Sequence, residues 1–148
     1  MAYQYRFERV LTVREREKQE AEDRYRDSVD SFEKMAQKLY ELLKKKELME
    51  ESQTNQIQTG IPVQSLRHGQ QFLTNIEKSI SYQQKLVVDA RTNMQRHEHR
   101  LMERNIEVKK YEKIREHDKK RFLAEQEQAD RDQMNELSIA QFMNRRNR

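Results

Sequence analysis

The sequence predicts an all-α fold, an antiparallel two-helix coiled-coil hairpin with a longer second helix. Three observations predict it. Both glycines, Gly60 and Gly69, and the sole proline, Pro62, fall within "QTGIPVQSLRHG", residues 58–69. On either side of that stretch, apolar residues recur every seven positions. Charged residues make up 38% of the chain and hydrophobic ones 34%, too few for a layered globular core.

The first helix is read from Phe7 in alternating steps of four and three. The positions are Phe7, Leu11, Arg14, Lys18, Ala21, Tyr25, Ser28, Phe32, Met35, Leu39, Leu42, Lys46 and Met49. Nine of these thirteen are apolar or tyrosine, a seam along one helix face. A strand would need alternation at every second residue, and "REREKQEAEDRYRD" has none. The expected helix covers about residues 5–56.

A turn over about 57–62 follows. Gly60 can adopt the left-handed conformation that ends a helix, and Pro62 suits the first turn of the next. So short a connection sets the two helices antiparallel.

The second helix is expected over about 63–140. Leu66, Leu73, Ile80, Val87, Met94, Leu101, Val108, Arg115, Phe122 and Ala129 are spaced by seven without a slip. Gly69, Ile76, Gln83, Ala90, His97, Arg104 and Tyr111 interleave with them. An unbroken heptad implies a left-handed supercoil. Gly69 lies on this seam and has two readings. It lets the helices approach closely near the turn, or it is a tolerated glycine costing about 1 kcal/mol relative to alanine.

Folding back at residue 61 fixes a register in which paired seam positions total about 122. Met49 then faces Leu73, Leu42 faces Ile80 and Met35 faces Val87. Lys18 faces Arg104, a poor level from which both side chains should turn outward on their aliphatic stems. Helix one runs out where Phe7 meets Arg115. About thirty residues, Glu116 to Arg148, should therefore overhang, roughly 45–50 Å if helical. Their apolar side chains include Phe122, Leu123, Met134, Leu137, Ile139, Phe142 and Met143. An isolated helix of this kind is marginal in water, so the arm suggests a partner. The chain ends in a basic tail, residues 144–148. The whole reads as one helical hairpin.

Little in the sequence supports catalysis, a cofactor or a metal. His97 and His99 are two apart and point to different helix faces, while His68 and His117 stand alone. The carboxylates lie beside Lys or Arg at helical spacing, as surface ion pairs do. No phosphate loop, zinc spacing or nucleophile motif is present. The chain has no cysteine, which excludes disulfides and thiolate metal sites. No apolar run reaches the roughly 20 residues that span a bilayer. "MAYQYRFERV" lacks the apolar core of a secretory signal, so a cytoplasmic protein is expected.

The net charge of +4 is unevenly placed. Residues 1–60 hold 12 basic and 13 acidic side chains, the remainder 18 and 13. "VKKYEKIREHDKKRF" interleaves aromatics with bases, the pattern of a helical arm on RNA, but Glu112, Glu116 and Asp118 interrupt it. Apolar doublets crowd the turn end: Leu42–Leu43, Leu48–Met49 and Phe72–Leu73. A two-stranded seam needs one member of each, so the surplus is either a broad core or a binding patch anchored by Phe72.

These residues resemble the FliJ family of the bacterial flagellar type III export apparatus. "SLRHGQQFLTNIEKSI", Ser65–Ile80, after "GIPV", is similar to the family's QQF segment. "YRFERVLTVREREKQEAE" resembles its opening, and "DQMNELSIAQF" its acidic–hydrophobic finish. Before QQF the family commonly has Tyr; here it is Gly69. The resemblance implies an antiparallel coiled coil, similar to the stalk of rotary ATPases, that inserts into the export ATPase ring. It also implies binding to the cytoplasmic domain of the export gate FlhA and escort of export chaperones. The gate-facing positions would be Leu42, Met49, Phe72 and Ile76. The ATPase-facing arm would present Phe122, Leu123, Leu137 and Phe142. Neither nucleic acid nor a cofactor is implied, and association with the inner face of the membrane would come through partners only. Two readings stand beside this one: an RNA-binding helical arm, and a structural homodimer that buries the leftover stripe.

Overall fold

The computed structural model describes residues 2–147. They form two α-helices, α1 over Glu8–Thr59 and α2 over Val63–Arg146, 52 and 84 residues long. Contacts divide them into two units. One is Gln19–Met102, with the turn; the other gathers residues up to Lys18 with those from Glu103 onward.

In Gln19–Met102 the turn is shorter than the expected 57–62. α1 continues to Thr59, whose hydroxyl donates to the carbonyls of Asn55 and Gln56 and so caps the last turn. Gly60 then takes a φ of +82°, and a Cβ there would touch nothing within 4 Å. Backbone conformation alone therefore asks for glycine. The Pro62 carbonyl accepts from the amides of Ser65 and Leu66, opening α2.

The two helices of this unit run antiparallel in the expected register. Lys46 Nζ lies 3.7 Å from Glu77 Oε1, and Gln53 is the side chain that a Cβ on Gly69 would meet. Leu73, Ile76 and Ile80 are buried along α2, as are Ala21 and Ser28 along α1. The Ser28 hydroxyl is satisfied locally by donating to the Tyr25 carbonyl at 2.6 Å. Gln83 is 1% exposed and donates to the Met35 carbonyl at 3.0 Å. A helical carbonyl points one turn onward, so this bond places Gln83 beside Leu39, its expected partner. A buried amide matched in this way to Met35 penalises a shift that would leave it unpaired.

In the other unit the first residues depart from the expected helix, which starts at Glu8 and not at about Tyr5. Residues 2–5 run on as irregular chain along α2. Tyr5, Leu11 and Val108 form a buried cluster flanked by Tyr3 and Tyr111. The Tyr5 hydroxyl donates to the Tyr111 carbonyl at 2.8 Å, and the Tyr3 hydroxyl to Asp118 Oδ2 at 3.0 Å. Tyr3 also packs on Phe122, ring centroids 5.4 Å apart. The segment is a strap that lengthens the cover on α2 beyond the end of α1.

The level expected to be poor is resolved differently. Arg104 does not simply turn outward; its guanidinium reaches Glu17 at 3.1 Å. Arg14 grips the same carboxylate at 3.0 Å, so one acid bridges two bases. Glu17, by hydrogen bond and charge, raises the Arg14 pKa further above its ordinary value.

Candidate partner-binding surfaces

Two groups of residues are candidates, one in each unit. Near the turn, Phe72 is 45% exposed, and Lys45 Nζ sits 5.5 Å from its ring centroid. That contact fixes which flank of α1 lies beside Phe72. Leu42, Leu48 and Met49 are three or four residues from Lys45 and share its flank; Leu43 is two away and lies on the other side. The surplus apolar residues are thus not one patch. Phe72 and Leu48 are exposed on the Lys45 side, Leu42 and Met49 are half-buried at the seam, and Leu43 with Tyr40 lies across the helix. Ile76 is a correction: at 6% exposure it is a buried seam residue and offers a partner little surface.

Gly69 opens a shallow recess of about 180 Å³ beside Met49, Gln53, Leu66 and Leu73. A Cβ there would sit 3.5 Å from the Gln53 amide nitrogen, an ordinary contact with a flexible side chain. Close helix approach does not require the glycine; the tolerated-glycine reading holds.

The second candidate is the end of α2. The expectation that the overhang begins at Glu116 is corrected by the tyrosine strap, which carries cover on to Phe122. Phe122 itself is half-buried under Tyr3 and belongs to the strap contact more than to a free surface. After it every described side chain is exposed. Leu123 is 48% exposed, Leu137 53% and Phe142 65%, with Met134, Ile139 and Met143 alike. This bare stretch to Arg146 is helical, about 36 Å long. Asn144–Arg146, expected as a tail, are helical too, and their arginines suit the negative end of the helix dipole; Arg148 lies outside the described residues.

Burial pushes the Tyr3 and Tyr5 phenols above their ordinary value of 10.0, and for Tyr3 the Asp118 carboxylate adds to it. Both are neutral donors at ordinary pH. Sequence reasoning missed them, although Tyr3 and Tyr5 in "AYQYRF" are two apart, the period of extended chain.

Three bases of "VKKYEKIREHDKKRF" are engaged within the helix: Lys120 pairs with Glu116 and Arg121 with Glu125, at 3.4 and 3.7 Å, and Lys110 lies over the Tyr111 ring. Among the described residues no His, Asp and Glu cluster could hold a metal. No described helix is long and apolar enough to cross a membrane.

Fold and surfaces together define a class: a two-helix coiled-coil protein with apolar residues exposed near its turn and beyond Phe122. The family described as flagellar FliJ protein matches residues 3–147, and the chain belongs to that family. It is therefore a component of the flagellar export system. The flagellar FliJ protein of Bacillus subtilis is 44% identical over 143 residues, covering 97% of each chain. Among solved structures, a Chlamydia trachomatis protein described as a YscO homologue superposes with a TM-score of 0.64. It is 20% identical, covering 92% of this chain and 94% of that one, and the likeness supports the fold.

Proposed function

We propose that this chain couples the flagellar export ATPase ring to the export gate FlhA and escorts export chaperones, without chemistry of its own. The observation that carries this reading is the stretch of α2 beyond Phe122, helical to Arg146 with every side chain exposed. A helix holding Leu123, Leu137 and Phe142 in water is poorly stabilised alone and is best explained by a binding partner. The arm is assigned to the ATPase, with Phe122 at its strapped root. The gate is assigned to the turn-end surface of Phe72, with the half-buried Leu42 and Met49 on α1 and Ile76 in the seam one turn along α2. Lys45 over the ring sets a cation beside an aromatic anchor. Binding shifts the ATPase toward its active assembly only by the difference in affinity between its states. Attachment to the inner face of the membrane comes through these partners.

A stop after Glu125 tests the arm. It keeps the Tyr3 contacts with Asp118 and Phe122, so the expected product is folded, binds the gate domain, and no longer stimulates ATPase turnover. Full stimulation by that product would overturn the assignment. Phe72→Ala, at an exposed site, should preserve helical circular dichroism and weaken binding to the FlhA cytoplasmic domain about tenfold or more. Unchanged affinity would remove Phe72 as anchor.

A further inference from the structure

Beyond Phe122 the positions that would continue the seam are mixed: Glu125, Asp132 and Glu136 alternate with Ala129, Ile139 and Met143. One step round the helix a second stripe begins. Leu123, Glu127, Asp130, Met134, Leu137, Gln141 and Arg145 follow at intervals of four, three, four, three, four and four. Such steps keep them on one face, and all are exposed. The stripe carries acids in its first half, apolar residues at its middle and a base at its end. Charge around it is sorted the same way. The carboxylates of the arm end at Glu136, and Leu137–Arg146 hold no charged residue except Arg145 and Arg146. Among the described residues, no ion pair engages Glu127, Asp130 or Arg145.

From Glu127 to Arg145 the stripe is its own complement when reversed, and Leu123 lies beyond this overlap. With a second copy turned about an axis beside Asn135 and Glu136, Met134 meets Leu137 of the other copy. Asp130 then meets Gln141, and Glu127 meets Arg145. Every contact occurs twice, as a two-fold interface requires. Parallel pairing would instead set Glu127 against Glu127 and Arg145 against Arg145. We propose that the arms of two copies pair antiparallel in this register, forming a weak, concentration-dependent homodimer. The short apolar centre and exposed ion pairs keep it weak. Pairing covers the face on which Met134 and Leu137 line up between opposite charges that no ion pair engages, and it stabilises a helix otherwise marginal in water.

The absence of cysteine makes single-cysteine variants clean probes. Full-length Asp130→Cys and Gln141→Cys chains are oxidised separately and as a mixture. The expected product is a disulfide between unlike variants. Each variant alone should crosslink poorly, because like positions lie about 16 Å apart along the paired arms. In the mixture, Glu127→Arg in both variants should lower the yield several-fold, and adding Arg145→Glu should restore it. All these sites are exposed, and helical circular dichroism checks that the fold is kept. Self-crosslinking as fast as the mixed reaction would overturn the register. No crosslink, or a yield blind to both charge reversals, would overturn the dimer and leave the arm to a partner of other sequence.

Discussion

From Leu66 to Phe122 and from Leu123 to Arg146, α2 is one unbroken helix of much the same residue types, yet only the first stretch is covered by its own chain. Helix propensity does not separate them. What differs is first how far the cover reaches, since the last contact of the strap is Tyr3 on Phe122, and then which residues occupy the heptad positions. In the first stretch they include Leu73, Ile76, Ile80 and Val108, all buried; in the second Glu125, Asp132 and Glu136 alternate with Ala129, Ile139 and Met143, all exposed. Forming a helix and pairing a helix are thus separate properties of the sequence, and only the second needs the repeat.

The largest expected effect comes from cutting the covered stretch and the bare one in the same way. Ile80→Ala should destabilise the fold by about 2–3 kcal/mol, through lost burial and a cavity in the seam. Ile139→Ala, 62% exposed before the change, should move stability by no more than about 0.5 kcal/mol. Thermal or urea unfolding of the two variants measures the contrast. Equal losses would mean that the arm is packed against its own chain.

The boundary between the stretches is set by the strap, so weakening the strap should move it. Tyr5→Phe removes the hydrogen bond to the Tyr111 carbonyl but keeps the buried ring, for an expected loss of about 1 kcal/mol. Alkali acts on the same bond. The Tyr3 and Tyr5 phenols are raised above 10.0 in the fold, so their contribution is intact below pH 10 and disappears as pH rises through the folded values. Tyrosinate absorbance should show these two ionising late, with release of the strap. Tyr3→Phe and Tyr5→Phe together should abolish the late phase.

The smallest effect sharpens the seam itself. Gly69→Ala places a Cβ in ordinary contact with Gln53 and restores a helix former, so stability should rise by up to about 1 kcal/mol. A loss would show that the helices need the closer approach after all.

Much of this was legible in the residues. Period seven, the confined glycines and Pro62 give the two helices, the turn and the register, since each acts locally or through one repeating face. Gln83, a polar member of the seam, is the best buried side chain of its helix, because a carbonyl one turn from its partner satisfies it. Less legible was whatever depends on chain outside a helix or on side chains reaching sideways. The strap follows a two-residue period over too few positions to stand out. Glu17 takes Arg104 from a flanking position, which a list of seam pairs does not contain. The surplus apolar residues near the turn looked like one patch in the linear order, and Lys45 on Phe72 separates them by helix side. The split of charge beyond Phe122 was visible all along, but its meaning waits on knowing where the first seam stops being covered.

Amide hydrogen exchange along α2, at concentrations low enough to keep the chain monomeric, tests the central claim most directly. Protection should be high through the seam from Leu73 to Val108, persist past Arg115 to Phe122 under the tyrosine strap, and fall steeply within the next turn. Protection held evenly to Arg146, or lost already at Arg115, would contradict it.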